Sequence, residues 1–264
     1  MSGATATRGA SGGTARTVLA PVLLGIVALA LWQLLIVAFE VKPFIVPGPL
    51  AIGEQFGGSF DSVLQGALVT GGNALVGLVI GGVLGILFAV ISALVRVIDE
   101  LSAAVIAALA VVPIVALAPV LYTMFGAGAE TARQLVAAIA VFIPVYINTL
   151  RGLRQVRPVH RDLMHVYAAS PWQLTRTVTI PGALPFIFTG LRIASSLAVI
   201  SALIAEYFGG PVGGLGKSIT SAASSSNYPL AWAYVLGAIL VGLLFYCVTL
   251  GIEKFATRHY KPST

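Results

Sequence analysis

Charge is what this sequence has least of. Asp, Glu, Lys and Arg make up 9% of its 264 residues and hydrophobic residues 58%, where a soluble domain carries about 25% charged residues. That shortage excludes an ordinary water-facing surface and indicates a chain solvated by lipid. Cysteine is nearly missing. A single Cys247, inside an apolar run, excludes an intrachain disulfide framework and a thiolate metal cluster, and it is expected to pack as a small apolar residue. Histidine is scarce too, with only His160, His165 and His259, all in polar segments. The first two are five residues apart, which is not the i, i+4 pair of a helical zinc site. No set of His, carboxylate or Ser-with-base groups lies at membrane depth, so neither enzyme chemistry nor a bound metal or cofactor is expected of this chain.

What the sequence has in quantity is long apolar runs. Six of them, roughly 18–39, 67–95, 101–125, 132–150, 186–208 and 231–252, meet the length needed to cross about 30 Å of hydrocarbon. The expected fold class is therefore an all-α polytopic membrane protein with about six transmembrane helices and both termini on one side. The first 16 residues, MSGATATRGASGGTAR, are rich in Gly, Ser, Thr and Ala and read as a disordered tail. The run that follows is longer than the apolar region of a signal peptide, so it reads as an uncleaved first helix. Residues 17–257 form the transmembrane domain, and 258–264 a short carboxyl tail.

The basic residues orient the chain. Arg8, Arg16, Arg96, Arg151, Arg154, Arg157, Arg161, Arg176, Lys254, Arg258 and Lys261 fall in segments on one side, against Lys42, Arg133 and Lys217 on the other. The positive-inside rule makes both tails and the 151–185 segment cytoplasmic. The net charge of +6 is accounted for by this asymmetry and calls for no nucleic-acid partner.

Several spans carry packing signals. Gly77, Gly81 and Gly85 recur every four residues and open one helix face to close backbone approach. Pro113, Pro119 and Pro144 each free a backbone carbonyl that lipid cannot satisfy. In the fifth run Ala194, Ser195, Ala198, Ser201, Ala202 and Ala205 form a stripe of small residues, which suits either a packing seam or a pore wall. Asn73, Asn148, Arg192 and Glu206 are the polar groups of the spans, read as interhelical glue or as cargo contacts. PVGGLGKS, from Pro211, resembles a phosphate-binding loop but has Pro where the first Gly belongs and no preceding strand. It reads as an outer loop or re-entrant turn.

The one long polar stretch is HRDLMHVYAASPWQLTRTVTIPGALP, residues 160–185. Arg157-Pro158 starts a short helix, because Pro tolerates the first helical position. Val159, Leu163, Val166 and Tyr167 then share one face, and His160, Arg161 and His165 fall on another. Ser170-Pro171-Trp172-Gln173 reads as a capping box for a second short helix to about Thr179, with Pro181 and Pro185 ending it and leading into the fifth span. By physics alone this is either a docking knob for another protein or an amphipathic hairpin on the lipid surface.

The stretch also carries a resemblance. Asp162-Leu163-Met164, three residues, Ala168, nine residues, then Val178-Thr179-Ile180-Pro181 is similar to the Glu-Ala-Ala…Gly…Ile-x-Leu-Pro loop of ABC importer permeases. PFIVPGPLAIGEQF, VVPIVALAPVLYTMFGAGAE, FIPVYINTLRGLRQVRP and PGALPFIFTGLRIASSLAVISALIAEYF resemble that family's other landmarks in order, from about Phe39 to Ala256. The nitrate, sulfonate and taurine branch, with its pyrimidine-precursor and riboflavin relatives, is the most similar. Asp162 stands for the motif's Glu, Leu163 and Met164 for its alanines, and Ala168 for its Gly, so the bend sits at Ala168 or is displaced to Ala169.

The resemblance implies a type I ABC importer permease fold in the cell membrane. It implies a second permease chain, in a homodimer, and cytoplasmic ABC ATPase subunits that bind the ATP. An extracytoplasmic binding protein would deliver the solute. Asp162, Leu163, Met164, Tyr167, Ala168, Ser170 and Pro181 would make or shape the ATPase contact, and Ser195, Ser196, Ser201, Asn73 and Asn148 would border the translocation path. The rival reading is a secondary transporter or channel without an ATPase, for which a paired repeat or a mid-membrane carboxylate is expected; no convincing repeat is found.

Overall fold

The computed structural model describes residues 13–126, 128–156, 158–209 and 213–258. Among these residues every regular element is a helix. Continuous apolar sequence leaves no alternative in lipid, because a helix satisfies its own backbone polar groups. In chain order the helices are α1 (Gly13–Ala38), α2 (Pro49–Gly58), α3 (Phe60–Leu94), α4 (Arg96–Val111), α5 (Ile114–Phe125), α6 (Glu130–Arg154), α7 (Pro158–Val166), α8 (Pro171–Leu174), α9 (Ile180–Phe208), α10 (Leu215–Ser224) and α11 (Tyr228–Thr257). A π-helical turn, Thr175–Thr179, joins α8 to α9.

Helices α3, α6 and α9 form the centre, with α11 against α9, α5 against α6 and α9, and α10 bridging α9 and α11. The glycine ladder explains the closest pair. A Cβ on Gly85 would lie 3.0 Å from the Phe142 carbonyl oxygen and 3.1 Å from the Val145 Cβ, and one on Gly81 would run into the Ala138 carbonyl. The three glycines thus let α3 and α6 pack backbone to backbone. On α9 the whole stripe of small residues, Ala194 to Ala205, is buried, so within the chain it is a packing seam. Helix α1 stands at the edge, with no buried residue between Leu19 and Ala38; its Trp32 meets Trp232 of α11 edge to face at 5.8 Å.

Four expectations need correction. The third run is not one straight span: α4 and α5 meet at a bend of 93°. Pro113 sits in the break, where it can neither donate to the preceding turn nor avoid its carbonyl. Among the described residues, five single helices and this broken pair make five or six spans. Pro181 and Pro185 do not stop the helix that starts at Pro171; it runs on to Phe208. The widened π-turn just before Pro181 makes room for a ring and a missing N–H that an α-turn would reject. Cys247 is exposed on α11 rather than packed inside, because an all-round apolar helix carries no periodicity to mark its inner face. Of the expected disordered tail, residues 13–16 already belong to α1, and residues 1–12 lie outside the described residues, as do 259–264 at the other end.

Candidate functional site

The polar stretch folds into a bent pair of short helices beside the bundle. Helix α7 begins at Pro158, as expected, and buries none of its residues; Arg157 before it lies outside the described residues. The helix ends with Ala168 in the left-handed region at φ +51°. The Ala168 N–H donates to the His165 carbonyl at 2.9 Å, and the Ala169 N–H to the Met164 carbonyl at 3.0 Å. This pair of bonds is a Schellman closure. The bend therefore sits where the family's Gly would be, and alanine occupies a conformation that ordinarily selects glycine.

Ser170 then caps α8. Its Oγ accepts from the Gln173 N–H at 3.3 Å, and the Gln173 side chain accepts from the Ser170 N–H at 2.7 Å, completing the capping box. Helix and cap fix the angle between α7 and α8, and Met164, Ala169, Pro171 and Leu174 line a small cavity of about 190 Å³ inside it. The outer surface of the bend is apolar: Leu163 is 51% exposed, Val166 82%, Tyr167 74% and Trp172 66%. Asp162 is exposed beside them and Pro181 is half-buried at the start of α9. Trp172 is the residue that sequence reasoning passed over; a tryptophan in the first turn of a capped, solvent-side helix was the available signal.

Three polar clusters join the helices of the bundle to one another. Near the loop, Arg154 in the last turn of α6 pairs with Asp99 of α4, and Tyr146, Ser92 and Ser102 share hydroxyl bonds of 2.6 to 3.4 Å. Along α9 and α11, Arg192 pairs with Glu253 at 3.1 Å, Thr189 donates to Glu253 at 2.9 Å, and Ser195 meets Thr249 at 3.0 Å.

The third cluster lies at the far end of α9. Glu206, fully buried, accepts from Thr70 at 2.8 Å and from the Gly216 N–H at 3.0 Å. Arg133, also fully buried, donates to the Tyr122 hydroxyl at 3.2 Å and to the Gly213 carbonyl at 2.9 Å. Sequence order puts Arg133 with the charges on the side opposite the tails and Glu206 among the polar groups of the fifth run; only folding brings them to one interior site.

The expected path residues divide among these contacts. Asn73 accepts from Gln134 at 3.2 Å, Asn148 donates back to the Pro144 carbonyl at 2.8 Å, Ser195 and Ser201 are buried, and Ser196 is half-buried. None of the five lines the large groove of about 720 Å³ between α3 and α11, whose walls are Phe56, Leu68, Leu75, Leu244, Val248 and similar apolar residues. Among the described residues no group of three or more His, Cys, Asp and Glu side chains could hold a metal ion.

Known proteins give this geometry a context. Residues 81–261 match the family described as binding-protein-dependent transport system inner membrane component. The riboflavin transport system permease protein RibX of Chloroflexus aurantiacus is 32% identical over 87% of this chain and 86% of its own length. The formylaminopyrimidine transport permease protein ThiX of Halalkalibacterium halodurans is 26% identical over 89% of this chain and 94% of its own, and the putative aliphatic sulfonates transport permease protein SsuC of Bacillus subtilis 28% identical over 84% and 80%. Among solved structures, an inward-facing MetNI methionine ABC transporter superposes with a TM-score of 0.63 at 16% identity, over 75% of this chain and 98% of that one.

Proposed function

Because the chain belongs to the family of binding-protein-dependent transport system inner membrane components, we propose that its 158–180 bend is the element through which ATPase subunits drive transport. The chain is a multi-pass membrane protein and the permease subunit of an ABC importer. It is not itself an enzyme; ATP hydrolysis belongs to partner subunits. The ATPase-independent transporter or channel is set aside by that membership.

One observation carries the coupling role. The bend presents an apolar surface of Leu163, Val166, Tyr167 and Trp172 on a rigidly capped frame, and that frame continues without a break into α9 at the centre of the bundle. An aromatic patch of this kind, held off the bundle, suits insertion into a groove of another protein. The continuous helix converts any displacement of the patch into a tilt of α9, a rigid-body switch of the hinge or shear type. Both termini and the bend then face the cytoplasm, with α10 on the opposite side.

A second copy of the chain completes the translocation path in this reading, with the α9 region bearing Ser195, Ser196 and Ser201, and Asn73 and Asn148 from its neighbours, close to it. An extracytoplasmic binding protein delivers the solute. Relatives named for riboflavin, formylaminopyrimidine and aliphatic sulfonates are chemically unlike in cargo, and the interior here has few polar groups, so we assign selectivity to the binding protein.

Leu163→Arg and Ala168→Arg test the coupling role. Each is expected to leave membrane insertion intact and abolish ATP-dependent uptake in proteoliposomes. Full uptake by either variant, or uptake by the purified chain without any ATPase, sinks the reading.

A further inference from the structure

Residues 213–218, the described part of the phosphate-loop look-alike, close on a carboxyl group after all, and it is the chain's own. Glu206 lies near the end of α9, and its Oε2 accepts from the Gly216 N–H at 3.0 Å in the first turn of α10. The neighbouring Leu215 N–H donates to the Thr70 hydroxyl at 2.9 Å, which donates in turn to the same carboxylate oxygen at 2.8 Å. A helix start leaves several N–H groups without internal partners and carries the positive end of the helix dipole. Here a carboxylate and a hydroxyl supply two of the missing acceptors.

The glycines of the segment are shaped to this carboxylate. Gly214 takes φ +137°, and a Cβ there would lie 2.5 Å from the Glu206 Cδ; one on Gly216 would lie 2.8 Å from the Glu206 Cβ. From the other side Arg133 of α6 holds the Gly213 carbonyl and the Tyr122 hydroxyl, and Tyr122 donates to the Ala205 carbonyl at 3.0 Å. Five helices, α3, α5, α6, α9 and α10, therefore meet around one buried carboxylate. Apolar side chains hold helices together at lower desolvation cost than a buried charge does. Hydrogen bonds, being directional where apolar contacts are not, set an angle and a register between α10 and α9.

We propose that Glu206 is a positioning residue that locks α10 to the outer end of α9, so that α10 follows the coupling bend at the other end of the same helix. The helix from Pro171 to Phe208 has 38 residues, about 57 Å at 1.5 Å per residue. It carries the capped bend at one end and this lock at the other. Ser221 and Ser224 on the exposed side of α10 would then shift as the ATPases cycle, and present a different outer surface in each state. This inference rests on the transport reading above.

The test uses the assembled complex with its ATPase subunits, in a Cys247→Ala background, with one reporter cysteine at Ser224. Its labelling by a membrane-impermeant maleimide is measured without nucleotide and after trapping with ATP and vanadate. The unmodified lock should give rates that differ between the two states. Glu206→Met and Thr70→Val should bring the ratio of the two rates to about one, the rates themselves rising by about tenfold as the buried hydrogen bonds are lost. Glu206→Gln and Thr70→Ser, which keep an acceptor oxygen and a hydroxyl, should preserve the ratio. A merely structural role predicts faster labelling in both states with the ratio unchanged, and that result overturns the proposal. So does a ratio of one with the lock intact, or failure of both Glu206→Met and Thr70→Val to assemble. A second reporter, Tyr167→Cys, separates the two ideas: if ATPase subunits do not protect it, the coupling reading fails; if they do and the Ser224 ratio is flat, only the lock fails.

Discussion

At the scale of single residues, Ala168 is the most informative position in the 158–180 bend. An L-residue at φ +51° bears a cost of about 1–2 kcal/mol that glycine avoids. Ala168→Gly recovers part of it, about 1 kcal/mol, after the extra freedom of the unfolded chain is counted. The expected outcome is undiminished ATP-dependent uptake and a slightly higher unfolding midpoint. Ala168→Val places a β-branched side chain where it does not fit and should cost about 2 kcal/mol or more locally, seen as lost co-purification with the ATPase subunit. The Asp162-Leu163-Met164…Ala168…Pro181 spacing and the Ser170 cap were legible from sequence because capping is local chemistry. Arg133 and Glu206 were not: their sequence neighbours say nothing of the Thr70, Tyr122 and Gly216 partners that make burial tolerable.

At the scale of elements, the glycine ladder of α3 read correctly, and Pro181 and Pro185, expected to stop a helix, did not. Every fourth residue lies on one helix face, so Gly77, Gly81 and Gly85 announce a close approach without naming the partner; folding supplies α6. Gly81→Val would drive a side chain into the Ala138 carbonyl and Val141, an overpacking worth about 3 kcal/mol or more. The expected result is a sharply lower thermal midpoint of the purified chain in detergent. Gly182→Ala is the matching control. Its new Cβ meets nothing within 4 Å, and the exchange should stabilise α9 by up to about 1 kcal/mol. Prolines behave differently because their effect depends on what surrounds the freed carbonyl. Pro113 marks a 93° break, Pro144 leaves α6 continuous, and Pro181 follows a π-turn that lets α9 run through. A sequence lists the ring and the missing N–H; it does not say which neighbour absorbs them.

At the scale of the whole molecule, the transport reading predicts a topology. In cells that make the chain without its ATPase subunits, a cysteine replacing Ser224 should react with an impermeant maleimide from outside, while one replacing Tyr167 should react only after the membrane is opened. The reverse pattern would invert the chain and remove the bend from any ATPase. Composition and hydrophobic run length by themselves determined an all-helical membrane chain, because lipid permits few other ways to satisfy a backbone. The basic residues determined the expected orientation, and the spacing within 158–181 determined a capped two-helix bend. Tertiary structure alone decided which faces of nearly uniform apolar helices turn inward, that the small-residue stripe of α9 is a seam, and that Cys247 is exposed. It alone decided that a phosphate-loop look-alike closes on Glu206. The physical reason is the same in each case: run length, caps and charge asymmetry are written along the chain, whereas the pairing of a buried charge or a helix face depends on partners as many as 145 residues away.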